Sequence, residues 1–388
     1  MDNNNSISII GGNARNKGAL LMLYESLKII EHKNYQKIYI FTPFPIEDEK
    51  LIGNILDLSK SSYEIIQWST KEIIKSFFLA LFPIKFNKIV NSLKNSRVTL
   101  DISGISFVED RGFKYLIYNS LTIFIPYRCG SKIIKLPQSI GPIESSYYKT
   151  IASYFLQKCT AIYSRGDQSS TVLSNLGVKY NPSSDLGFIG GFDSTEIVTS
   201  ASRIGIIPSI VVKKYFEEKK LNYENFLIEL IGTLNKKGYK LTLFPQSYSP
   251  SSRKDTFDDS SIITYVSSKI NTSGVEIINK DLSLEELCNI YRNLDICITS
   301  RFHGMIMAIN SNVYPIVIGW NHKYEEVIND LNLTKSSIRI DKNMFLEVLN
   351  NLDQLINNYA DEINILISNR EKVSKNMQLI KKSIEAKL

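Results

Sequence analysis

The sequence predicts an α/β protein built from two doubly wound parallel-sheet units, and three observations predict it. Short apolar strands alternate with amphipathic helices through the first half of the chain. A glycine-rich break, Gly187–Gly191 in LGFIGGFD, then interrupts the pattern. The same alternation resumes at Ser202 and fills the second half. The expected division is a first domain over 1–198, a second over 199–345, and helices over 346–388 that pack back on the core.

In order, Ile7–Ile10 reads as a strand, followed by a Gly-Gly-Asn loop and a helix over Ala19–Ile30. Strands are expected at Lys37–Phe41, Val98–Ile102, Lys132–Leu136 and Ala161–Tyr163, with PQSIGP as the loop after the third of these four. Tyr180–Asp185 completes the first unit. The second opens with RIGIIPSI, then a helix over Asn222–Lys237, a strand at Lys240–Phe244 and a helix over Asp258–Ile270. Val275–Ile278, Ile296–Thr299 and Val313–Ile318 read as strands. Ser283–Arg292 is a helix whose Ser283 and Glu286 stand at capping-box spacing, and Met305–Ile309 begins another. Residues 73–90 hold FFLALFPIKFNKIV among lysines. They read either as a core helix broken at Pro83 or as an interfacial segment that lays Phe78, Leu79, Leu81 and Phe82 on a membrane.

The 388 residues suffice for about two or three domains with full cores, two being favoured. The formal charge of +7 is spread along the chain, which speaks against nucleic acid and favours anionic substrates or an anionic membrane surface. Cys129, Cys159, Cys288 and Cys297 form no CxxC pair, so free thiols in a reducing compartment are expected and a zinc site is not. The N-terminal residues do not read as a signal peptide, and no apolar run approaches the about 18 residues of a spanning helix. A cytoplasmic protein is expected, with no metal and no cofactor.

Ligands of such folds gather in the loops after strands. SRFHG, Ser300–Gly304, lies between the strand DICIT and the apolar helix MIMAI. A helix N-terminus there favours an anion, and Arg301 adds a fork of donors matched to carboxylate or phosphate. His303 titrates near neutrality, with an unperturbed pKa of about 6.5. Gly304 leaves room for a ligand against the backbone. In YSRGDQSS a second strand meets a helix, with Ser164 or Asp167 as cap and Arg165 aimed out of the sheet edge. Asn13, Asn16, Ser103 and Gln138 fall in loops of that same edge. Lys323 adds positive charge after a later strand, and Trp320 could stack on a sugar ring. GGNARNKGA is not GxGxxG and lacks the P-loop ending. No nucleophile arrangement stands out.

These pieces together resemble the polysaccharide pyruvyl transferase family. The resemblance rests on NARNKGA, DISG, LPQSIGPI, YSRGDQSSTVLSNLGV, DLGF and SRFHGMIMAINSNVYPIVIGWNHKYEEVINDL, from Asn13 to about Leu331. It implies two Rossmann-like domains facing across a cleft, an architecture similar to GT-B glycosyltransferases. It also implies transfer of pyruvate from phosphoenolpyruvate to two hydroxyls of one sugar, giving a cyclic ketal and phosphate. Arg165, Arg301 and His303 would surround phosphoenolpyruvate, with Ser300, Gly304 and Lys323 beside them. His303 and Arg301 would be catalytic, His303 either as the acid that protonates the methylene or as the donor to leaving phosphate. Asn13, Asn16, Ser103, Gln138 and Trp320 would face a sugar or lipid-linked saccharide acceptor. The alternatives are a glycosyltransferase of the same fold with a nucleotide-sugar donor, and a non-catalytic scaffold in polysaccharide assembly.

Overall fold

The computed structural model describes residues 5–14, 16–33, 35–53, 62–81, 87–190, 200–248, 258–319 and 322–388. It forms two compact units. The first comprises Met1–Ala14, Ala19–Ile189 and Asn376–Leu388, the second Arg15–Gly18 and Gly190–Lys375.

The sheet of the first unit contains β1 (Ser6–Ile10), β2 (Lys37–Thr42), β3 (Ser62–Gln67), β4 (Ser96–Asp101), β5 (Ile105–Ser106), β6 (Lys132–Ile140), β7 (Ala161–Arg165) and β8 (Asn181–Ser183). The order is β3-β2-β1-β4-β6-β7-β8, with β5 on β6, and the pairing is parallel. Strands covered on both faces read as continuous apolar runs, and every residue of β1 is buried. The helices are α1 (Lys17–Ile30), α2 (Pro45–Gly53), α3 (Thr70–Leu81), α4 (Lys88–Asn95), α5 (Phe113–Arg128), α6 (Ser146–Leu156) and α7 (Asp167–Asn175). Buried Asp101 and Lys135 form an ion pair between β4 and β6.

Three local expectations change. PQSI is not loop, because β6 continues through it to Ile140. Proline cannot donate to a ladder, and the pairing with β7 shifts register between Lys135 and Gln138 to pass it. β7 reaches Arg165, because Ser164 and Arg165 pair with β8. Neither Ser164 nor Asp167 caps α7. The cap is Gly166 at φ 78°, a left-handed backbone that glycine adopts without strain, and the Ser164 hydroxyl bonds that of Ser170 at 2.9 Å.

The second unit contains β9 (Arg203–Ile207), β10 (Lys240–Leu243), β11 (Val275–Ile277), β12 (Ile296–Thr299), β13 (Tyr314–Gly319) and β14 (Ser337–Arg339). Their order β11-β10-β9-β12-β13-β14 is that of the dinucleotide-binding doubly wound sheet. It reverses between β9 and β12, which makes the carboxyl ends of these two strands the switch point. The helices are α8 (Ile210–Glu218), α9 (Tyr223–Lys236), α10 (Ser260–Ser267), α11 (Leu284–Arg292), α12 (Phe302–Asn310), α13 (His322–Asp330), α14 (Met344–Asn357) and α15 (Tyr359–Glu385), whose residues from Asn376 on belong to the first unit. The α11 capping box forms as its spacing predicts. Helix α12 starts three residues before Met305, so His303 and Gly304 belong to its first turn. No helix among the described residues is long and apolar enough to cross a membrane.

Candidate functional site

Ser209 follows β9 and Ser300 follows β12, so both stand at the switch point of the second unit. The Tyr223 hydroxyl joins them: it accepts from the Ser209 N–H at 3.1 Å and lies 3.2 Å from Ser300 Oγ. Arg301 caps α12 with an extended backbone, and its N–H donates to Thr299 Oγ1 at 3.0 Å. The guanidinium pairs with Asp259, donating from Nε at 3.0 Å and from Nη2. Asp259 is fully buried and also accepts from the N–H groups of Ile210 at 3.0 Å and Ser247 at 3.1 Å. Burial pushes its carboxyl above the ordinary range, against the pull of Arg301 and the two N–H groups. The expected fork of Arg301 is present, but its Nε–Nη2 edge holds Asp259. An added anion has to meet the guanidinium elsewhere.

His303 stands in the first turn of α12, its ring edge-on to Phe302 at 5.2 Å between centroids. Gly18 abuts it, and a Cβ on Gly18 would fall inside the imidazole. The Gly18 N–H donates to Asn16 Oδ1 at 2.9 Å, and Asn16 bridges Ser247. Lys17, buried, donates from its backbone to Gln246 O at 3.3 Å and from Nζ to Asp281 at 2.5 Å. The segment Asn16–Gly18 thus braces the second unit. Asn13 lies outside this segment, in the first unit.

The space at Gly304 is filled by protein. A Cβ there would stand 2.6 Å from Thr299 Oγ1 and 3.3 Å from Ile207 Cδ1, so the glycine lets α12 sit on β9 and β12. Its carbonyl accepts from Tyr291 at 3.1 Å. This corrects the expectation of ligand room at Gly304. Lys323 does join the turn, with Nζ 4.9 Å from the Phe302 ring centroid. Beside it, the Tyr324 hydroxyl donates to Ser300 O at 3.1 Å. Trp320 lies outside the described residues.

Arg165 differs from its expected role. It is 5% exposed, and it binds Asp185 at 2.5 Å through Nη1, Ser139 Oγ at 3.2 and 3.0 Å through Nε and Nη2, and Gly104 O at 2.9 Å. A buried carboxylate demands a cation, and Asp185 at 0% exposure turns Arg165 into the loops of its own unit. Gln138 is also buried. Its amide donates to Asp101 O and Leu136 O, both at 3.3 Å, and accepts from Ser106 at 2.8 Å, so it ties β4, β5 and β6 together instead of facing an acceptor. Ser103 stays half-buried, its N–H donating to Asp101 at 2.9 Å. Asp259, Tyr223, Ser209 and Lys17 escaped the sequence reading.

A sequence model of the polysaccharide pyruvyl transferase family matches residues 16–322, from the brace at Asn16 through SRFHG. The chain belongs to that family. This makes it a transferase of the polysaccharide class. No curated protein matches it significantly in sequence. Its fold is similar to that of UDP-GlcNAc 2-epimerase from Neisseria meningitidis, solved bound to UDP-GlcNAc, at 11% identity, TM-score 0.59 and coverage of 98% of this chain and 99% of that one. A glycosyltransferase from Rickettsia africae is similar at 10% identity and TM-score 0.56, with 98% of each chain covered. Phytolacca americana UGT2, complexed with UDP-2fluoro-glucose and pterostilbene, is similar at 9% identity and TM-score 0.55, with 99% of each covered. The fold is therefore of the GT-B glycosyltransferase and epimerase kind.

Proposed function

We propose that this transferase moves pyruvate from phosphoenolpyruvate onto two hydroxyls of one sugar in a surface-polysaccharide precursor, releasing phosphate. The observation that carries this reading is the family match across residues 16–322, which includes the Ser300–Gly304 turn. The switch-point geometry supports it. Arg301, Lys323 and the positive end of the α12 dipole gather cationic character at one sheet edge, and phosphoenolpyruvate carries a carboxylate and a phosphate on one small molecule.

In the proposed reaction a proton adds to the methylene carbon, and positive charge develops at the middle carbon. One sugar hydroxyl bonds to that carbon, and the bond to the phosphate oxygen breaks. A second hydroxyl of the same sugar then closes the ketal. Of the two hydroxyl protons, one balances the proton taken up by the methylene and the other leaves with phosphate. His303 is the proposed donor, to the methylene or to the phosphate. Arg165 and Gln138 bond within the first unit, and no donor contact is assigned to them. Ser103, Asn13 and Asn16 remain proposed acceptor-side residues.

Phosphate release from phosphoenolpyruvate, measured against free, nucleotide-linked and lipid-linked pyranosides, tests the reaction. The expected result is release with at least one acceptor, falling by about 10²–10⁴ in His303→Ala. Near wild-type turnover in that variant removes His303 from both roles. A second reading, a nucleotide-sugar glycosyltransferase, is favoured by the shared fold with the epimerase solved with UDP-GlcNAc. Thermal stabilisation by phosphoenolpyruvate and not by UDP supports the first reading, and the reverse supports the second.

A further inference from the structure

The first unit carries an aromatic row that its own core does not use up. Phe78 touches Phe77 at 5.3 Å between centroids, Phe77 meets Phe124 at 5.5 Å, Phe124 meets Phe155 at 6.3 Å, and Phe155 meets Tyr154 at 5.1 Å. The row crosses α3, α5 and α6, with α5 packed against both neighbours. Its inner rings are half-buried, and its ends, Phe78 and Tyr154, are each 57% exposed. Ile74 and Leu81 stand one turn either side of Phe78 and are exposed as well. Residues four and three apart share a helix face, so α3 shows water a continuous apolar strip.

The charge close to this row is mainly positive. Lys71 and Lys75 on α3 and Arg128 at the end of α5 flank it, with Glu72 the acid of α3, while Lys114 and Lys149 lie in the first turns of α5 and α6 beside Glu109, Asp110 and Glu144. Lys158, just past α6, holds Nζ 4.1 Å from the Tyr154 centroid and 4.9 Å from that of Tyr127. An exposed apolar strip flanked by Lys71, Lys75, Arg128 and Lys158 matches a surface that is apolar within and anionic at its boundary. Water or a neutral protein face offers no such match.

We infer that the α3–α5–α6 face docks on an anionic lipid bilayer. Phe78, Leu81 and Tyr154 enter the headgroup–acyl boundary, and Lys71, Lys75, Lys158 and Arg128 lie against the headgroups. The row occupies the later halves of its helices. In a parallel sheet these lie away from the carboxyl ends of the strands, where the chemistry is placed. Docking is therefore separable from catalysis.

Flotation of the full chain with vesicles tests this, using phosphatidylcholine alone and an equimolar mixture of phosphatidylcholine and phosphatidylglycerol. The expected result is recovery with the mixed vesicles only, lost at high salt. Phe78→Ser with Tyr154→Ser is expected to cut the vesicle-bound fraction by about tenfold or more while thermal unfolding is unchanged. Lys75→Glu with Lys158→Glu is expected to do the same without touching an apolar residue. Failure to float with mixed vesicles, or flotation unchanged by both double variants, overturns the inference. So does a concentration-dependent dimer in sedimentation that the Phe78 and Tyr154 changes abolish, because the face then covers a second copy.

Discussion

At residue scale, His303 owes its place to the absence of an atom. Gly18 leaves the volume that the imidazole fills. Gly18→Ala favours the helical state of α1 by about 1 kcal/mol yet drives a methyl into the ring, so the imidazole must turn. The expected outcome is a loss of about 10² in turnover with little change in melting temperature, read from paired phosphate-release and unfolding measurements. Asp259 acts on Arg301 instead of on substrate. Asp259→Asn leaves the half-buried guanidinium of Arg301 without its counter-charge, and a cost of up to about 3 kcal/mol is expected. The Michaelis constant for the proposed donor, phosphoenolpyruvate, should rise in that variant, and denaturant unfolding gives the stability. SRFHG was legible because a strand, a turn and a helix start are contiguous in sequence. Asp259 was not. It meets Arg301 from 42 residues away, and within DDSS it resembles an ordinary helix start.

At the scale of elements, sequence pattern fared best where a local signal is sufficient. The α11 helix begins at Ser283, whose hydroxyl accepts from the Glu286 N–H at 3.1 Å while the Glu286 carboxylate accepts from the Ser283 N–H at 2.8 Å. Ser283→Ala should cost about 1 kcal/mol, checked by urea unfolding. Elements that depend on their neighbours were harder to read. Pro137 ends a strand in isolation, and only the register shift against β7 shows how β6 passes it. Arg165 reads as a ligand-binding residue aimed out of the sheet edge because nothing near it in sequence announces Asp185. The loop GGNARNKGA was readable as a glycine turn, but not its division between units, with Asn13 in one and Asn16 in the other.

On the scale of the whole molecule, the chain's second half closes its first. Met377 and Ile384 are fully buried in the first unit, where Gln378 donates to Ile189 O at 2.6 Å and the hydroxyls of Ser383 and Tyr163 lie 2.9 Å apart. Glu25 on α1 responds to the same segment. Burial raises its carboxyl to about 7, against the pull of Lys28 and Lys381. A carboxyl that binds its proton more tightly when folded loses stability for the protein as pH rises from about 4.5 to about 7. Glu25→Gln should therefore be the more stable form by up to about 3 kcal/mol at about pH 8. The two should converge at about pH 4.5, as seen in thermal unfolding across that range.

The discontinuous first unit also sets an order of events on the ribosome. A domain generally folds once its own residues have emerged, N-terminal first. Here Met377 and Ile384 emerge only after Gly190–Lys375 has been made. The nascent first unit must wait, with its sheet assembled and one wall open, while the later unit is synthesised and folds. The roughly 9 to 37 seconds that this takes, at about 5–20 residues per second, are a window in which the open wall is exposed to chaperones.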